Sequence, residues 1–286
     1  MELLCVRHLW GVDLSGGIGP YLPRWRAAGY GALESSLRFL PSQAEFFSVL
    51  SGEGWGWIPQ VFTDGFAPDG SLRTPAGPDV DCHVRSLREQ VAEAMPHKPM
   101  FFNAHSGLDA WSPAQAEEFF GRALEIEREY GVVISHETHR QRYFATPWAT
   151  HAILNQFPAL RLTCDFSHWV CVCERLLQDF GETLSLAASH CHHLHARVGF
   201  EEGPQVPDPR APEYRTHLEA HEAWWREIWE SQRARGMAVS TLTPEFGPPP
   251  YLHTRPGTGE PLADLADVCD GMAARQRDAF ARFAGV

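Results

Sequence analysis

Eight times along this chain a short apolar run, five to nine residues long, gives way to a longer segment, and no other feature restricts the fold as strongly. The strand-like runs are 2–8, 31–36, 56–63, 99–104, 132–137, 161–165, 191–197 and 237–245. Several of the longer segments carry helical periodicity. Segment 112–130 sets Phe119, Ala123, Ile126 and Tyr130 on one stripe. Ser112 is placed as its N-cap, Pro113 at the first helical position and Gln115 to complete a capping box, and Gly131 ends it. Segment 80–95 aligns Val84, Leu87, Val91 and Met95, and 217–235 aligns Leu218, Trp225 and Ile228. Thr146-Pro147 opens a further helix in the same way. A strand followed by a crossing helix returns parallel to itself, so eight repeats imply a parallel sheet. The expected fold is α/β, a closed (β/α)8 TIM barrel forming one domain over 1–286. An open doubly wound sheet is the alternative, and the lack of a Gly-rich phosphate turn after the first strand counts against it. Pro and Gly concentrate in 64–79, 199–213 and 246–262, each after a predicted strand. Barrel active sites are built from such loops, so these read as lids or substrate walls.

A formal net charge of −12 disfavours a nucleic-acid partner, which would call for a basic face. Seven scattered cysteines, with Cys5, Cys164 and Cys191 inside predicted strands, read as reduced thiols in a cytoplasmic protein. Cys171 and Cys173 form a CxC at the start of a helix, too closely spaced for an ordinary zinc site. The first residues lack the basic and apolar regions of a signal peptide, and no segment has the apolar length to span a bilayer.

Function is written at the strand ends. Glu137 closes the fifth run, Asp165 the sixth and Glu245 the eighth, while His195 lies near the end of the seventh. Alternation along a strand puts Ser135 with Glu137, Thr163 with Asp165, His193 with His195, and Thr243 with Glu245 on shared faces. If those faces point into the barrel, three carboxylates and one imidazole converge. Three like charges would raise at least one pKa, and a divalent cation would remove that penalty. Such a donor set suits Mn2+, Mg2+ or Co2+, with Zn2+ also a candidate. His136 has the opposite parity and is left out of this set.

Glu137, Asp165-Phe-Ser-His168, His193-Leu-His195-Ala-Arg197 and Thr243-Pro-Glu245 together resemble the xylose isomerase-like TIM barrels, a superfamily of sugar isomerases, epimerases and related enzymes. The resemblance implies that Glu137, Asp165, His195 and Glu245 bind one divalent metal and that His168 faces the substrate oxygens. Asn103-Ala-His105-Ser-Gly107 resembles the fourth-strand segment whose histidine, here His105, faces substrate. The chain departs from the pattern at the seventh strand. It lacks the arginine several residues further on that ketose 3-epimerases carry, and it reads His195-Ala-Arg197-Val198 where many members read HxKD. The seventh-strand loop also offers no clear D-x-H for the three-zinc cluster of endonuclease IV-type relatives.

The expected activity is a metal-dependent isomerase or epimerase acting on a sugar, sugar phosphate or sugar acid through an enediolate, with Glu137 and Glu245 moving the proton. A lyase, dehydratase or hydrolase on the same barrel is the alternative, as is a sugar-binding protein with a vestigial site. Arg197 is placed either to grip a substrate carboxylate or phosphate, or to pair with Glu201 or Glu202. Glu34 is placed to bond substrate hydroxyls or to form a structural ion pair, and Trp10, Trp111 and Trp169 follow strands where they could stack on a sugar face. The Trp-rich helix 217–235 allows for a homo-oligomer.

Overall fold

The structure, a computed structural model, describes residues 1–64 and 79–285, so all but the ends of the expected loop 64–79 lies outside the described residues. The eight strands are β1 (Glu2–His8), β2 (Tyr30–Ser35), β3 (Gly56–Phe62), β4 (Phe102–His105), β5 (Ile134–Glu137), β6 (Arg161–Cys164), β7 (Cys191–His195) and β8 (Val239–Thr243). They pair in sequence order, and β1 pairs in parallel with β8, which closes the barrel. The open doubly wound alternative is thereby set aside.

Strand ends differ from expectation in a way that matters for the site. Asp165, Arg197 and Glu245 stand just beyond β6, β7 and β8. Asp165 leaves its strand because its side chain accepts from the Ser167 N–H, making it the N-cap of the helix Phe166–Cys173. Pro244 has no N–H to extend the ladder of β8, so Glu245 sits on the loop. At the other end, β4 starts at Phe102 rather than 99 and runs on to His105.

The helices follow the sequence signals closely. Pro113–Tyr130 carries the full capping box, with Gly131 left-handed at its C-cap. Val80–Ala94 and Arg215–Ala234 bury the expected stripes, but Met95 falls in a separate 3-10 turn. Thr146 caps Pro147–Gln156. Trp225 and Trp229 are buried against the barrel. The CxC lies at the end of a helix, Phe166–Cys173, not at its start. All seven cysteines are unpaired, and Cys5, Cys164 and Cys191 are buried as small apolar groups. No helix among the described residues is long and apolar enough to cross a membrane.

Inward-facing positions stack in layers along the barrel axis. The lowest layer is apolar, with Val6, Ala32, Ile58 and Phe101 in one cluster. Two residues further along each strand the chemistry reverses. Gln60 lies beside Asn103, Asn103 beside Ser135, Thr163 beside His193, and His193 beside Thr241.

Candidate functional site

The polar layers are organised around Glu34, which β2 buries completely inside the barrel. Its Oε1 accepts from Asn103 Nδ2 at 2.9 Å and from Gln60 Nε2 at 3.3 Å. Its Oε2 accepts from Thr243 Oγ1 at 2.6 Å. Both oxygens lie close to His195 Nε2, at 3.0 and 3.2 Å, and His193 Nε2 is 3.3 Å from Oε2. Burial alone would raise its pKa, but the charges and hydrogen bonds of His195 and His193 hold it well below the usual carboxylate range. Glu34 therefore lies under the site with its acceptors engaged, and it is not among the residues that line the cavity above.

With Nε2 directed at Glu34, His195 turns Nδ1 toward the strand-end carboxylates. This nitrogen is 2.9 Å from Glu245 Oε2 and 3.6 Å from Glu137 Oε1. Ligand atoms of Glu137, Asp165, His195 and Glu245 all lie within 4.8 Å of one another. The structure thus brings together the four residues singled out from the strand ends. Burial would discharge His195, but Glu245, Glu34 and Glu137 outweigh it and hold the imidazole charged well above its ordinary pKa. Glu137 Oε2 accepts from Asn103 Nδ2 at 2.9 Å and lies 3.2 Å from His105 Nε2. Asp165 Oδ1 accepts from the Ser167 N–H at 3.0 Å, while burial pushes the Asp165 carboxyl up to about 6 although Arg197 pulls it down.

Arg197 does not make the expected pair with Glu201 or Glu202. Its Nη2 donates to Asp165 Oδ2 and to Glu245 Oε2, each at 2.6 Å, and Nε donates to Asp165 at 3.0 Å. Glu201 pairs with His217 instead. The reason is reach. Arg197 shares the inward parity of His195 and lies just beyond β7, between Asp165 after β6 and Glu245 after β8, whereas Glu201 is out on the loop. The guanidinium therefore answers part of the negative charge that the strand ends bring together, and burial does not discharge it. His168 is fully buried, and its Nε2 lies 3.1 Å from Arg197 Nη2. Burial first, then the neighbouring His139 and Arg197, keep His168 neutral, so Nε2 accepts from the arginine.

Above this cluster a cavity of about 770 Å3 opens at the strands' C-terminal end, lined by Gln60, His105, Arg197 and Glu245 at its floor. Trp10 lies on its wall, as the sequence suggested, and His105 stacks on Phe62 at 4.3 Å. Trp111 does not line it. Its ring packs edge-on to His83 and lies over Gly107, whose positive φ and missing Cβ allow the close approach. Trp169 is buried and donates to the Phe144 carbonyl, so it also faces away from the cavity. His136 bonds Ser106 and packs against Phe120, outside the cluster. Sequence reasoning missed Gln60 and Tyr251. Gln60 could have been found by counting two residues up from Ile58, whereas Tyr251 sits on a loop with no periodic signal.

The donor set fits a divalent cation. Glu137 Oε1 and His195 Nδ1 are buried in its midst 3.6 Å apart, and His195 Nδ1 is also 2.9 Å from Glu245 Oε2. Three carboxylates and one imidazole crowded within 4.8 Å in a buried setting repel one another, and a divalent ion held by such oxygen and nitrogen donors removes that penalty.

No family model matches the chain, and no curated protein does. Solved structures do match. A xylose isomerase-like TIM barrel protein from Mycobacterium smegmatis in complex with magnesium is 13% identical, with 98% of this chain and 97% of that one covered at a TM-score of 0.63. The fold is that of the xylose isomerase-like TIM barrels. A D-allulose 3-epimerase from Methylomonas sp. in complex with D-allulose is 14% identical over 97% of both chains, at a TM-score of 0.60. A D-tagatose 3-epimerase-like protein matches over 100% of both chains with 13% identity and a TM-score of 0.59. At such identities the likeness to xylose isomerase-like barrels carries the fold, and the chemistry has to be argued from the residues.

Proposed function

We propose that this barrel is a metal-dependent sugar isomerase or epimerase in which Glu137, Asp165, His195 and Glu245 hold one divalent cation, Mn2+, Mg2+, Co2+ or Zn2+. The reading rests on one observation, the convergence of buried ligand atoms from Glu137, Asp165, His195 and Glu245 within 4.8 Å of one another. The cation would polarise a substrate carbonyl and acidify the adjoining C–H. Glu245 lines the cavity and Glu137 lies deeper, so Glu245 is the carboxylate placed to take the proton from a bound sugar. Glu137, which approaches the same His195 nitrogen as Glu245, is the second carboxylate and would return it. Proton transfer by a positioned carboxylate accelerates such a step by about 10²- to 10⁴-fold. His105 reaches the cavity floor as a neutral imidazole, since burial lowers its pKa, and can hydrogen-bond a sugar hydroxyl. Arg197 fixes the Asp165 and Glu245 oxygens in place.

The D-allulose bound to the Methylomonas epimerase supports ketoses as the first substrates to test. The test is metal analysis of the purified protein, followed by incubation with ketohexoses in deuterated water. One divalent ion per chain and deuterium at the carbon beside the carbonyl are expected. Full metal content and turnover in Glu245→Gln would refute the assignment, and loss of water or bond cleavage without label would favour the lyase or hydrolase alternative.

A further inference from the structure

The cavity is much larger than a six-carbon sugar requires, and its two ends differ in chemistry. At about 770 Å3 it falls in the range of about 300–1,000 Å3 that encloses drug-sized ligands. Its floor is polar and carries Glu245, His105 and Gln60. One wall is apolar, formed by Leu9, Trp10, Val12 and Leu14 after β1 and by Leu40 after β2, with Tyr251 beside them. Trp10 is a built feature of this wall. Its ring meets Tyr251 edge-to-face at 4.9 Å and 79°, and it lies against Gly247, where any Cβ would overlap the indole. The tryptophan is nevertheless 38% exposed, so a face held on two sides remains available for stacking.

Resting on the sugar-isomerase reading, the geometry points to a two-part substrate, a sugar head carrying a planar apolar substituent such as an aryl group. The head occupies the floor beside Glu245 and His105, and the substituent lies along Leu9, Trp10 and Leu14. A carbonyl and a neighbouring hydroxyl must stay free for the proton transfer. In a glycoside the anomeric carbon is blocked as an acetal, so the ketone then belongs on another ring carbon.

The test measures binding to the metal-loaded protein, by calorimetry and tryptophan fluorescence, with three probes: methyl β-D-glucopyranoside, 4-nitrophenyl β-D-glucopyranoside and cellobiose. Burial of one aryl ring against this wall is expected to tighten binding about 10- to 100-fold over the methyl glycoside. Trp10→Ala should remove most of that gain without changing metal content, and Leu14→Asp should do the same by placing a charge on the same wall. Equal affinities, a gain for cellobiose as large as for the aryl probe, or an unchanged gain in both variants would overturn the proposal. So would failure of the aryl probe to bind at up to about 10 mM. The outcomes separate cleanly from those of the enzyme reading, because metal binding is measured first and without any sugar.

Discussion

The lower and upper halves of the barrel interior are built from the same strands and the same inward parity, yet they share almost no chemistry. Below, Val6, Ala32, Ile58 and Phe101 fill the axis with apolar side chains. Above, two residues later on three of the same strands, stand His8, Glu34 and Gln60, with Asn103 on the fourth. The difference teaches that a parallel strand need not be apolar throughout. The lower layer gains stability by excluding water. The upper one carries buried charges whose desolvation opposes folding unless each finds a partner. Function is located where the interior stops being favourable by packing alone.

The comparison can be broken most forcefully at its upper end. Glu137→Gln should lower turnover by about 10³-fold or more and remove metal binding while the fold persists, read by steady-state kinetics and calorimetry. At the lower end, Phe101→Ala should cost about 3–5 kcal/mol in chemical denaturation, yet leave the metal affinity of the folded fraction unchanged. A smaller effect is expected between the layers. Glu34→Gln weakens the acceptor that orients His195 Nε2, and metal affinity should fall about 10- to 100-fold, although Glu34 stands outside the proposed ligand set. The gentlest probe is pH. With its carboxyl pushed up to about 6 by burial, Asp165 must lose a proton before it can ligate. Metal affinity should therefore fall by up to about tenfold per pH unit below 6 from this group alone, with no contribution from it well above 6. Flat affinity between pH 5 and 6, measured by titration in non-chelating buffers at roughly half-unit steps, would place Asp165 outside the ligand set.

Much of the architecture was legible because barrels write their period into the chain. The capped helix Pro113–Tyr130 and the strand Glu2–His8 fall where propensity and periodicity put them. The four strand-end residues converge because parity and strand order together fix direction. The strand termini were not legible, since Asp165 and Glu245 are released by a helix cap and by a proline, both of which act after the apolar pattern has ended. The ion-pair partners of Arg197 were not legible for a different reason. Its choice between Asp165, Glu245 and the loop acids depends on a three-dimensional distance that no spacing encodes. Trp111 illustrates the same limit. Only Gly107, with its positive φ and missing side chain, shows why the indole turns toward His83 rather than into the cavity.

One buried carboxylate gathers contacts from four other staves of the barrel, since Gln60, Asn103, His193, His195 and Thr243 come from β3, β4, β7 and β8, and Glu34 itself from β2. Such a hub exists only when the circle is complete. A partly assembled sheet would leave Glu34 charged and under-solvated, so the orientation of His195 is acquired together with ring closure rather than ahead of it. Ion uptake during refolding should accordingly track the final cooperative step, and a half-formed barrel should have no weakened version of the site to offer.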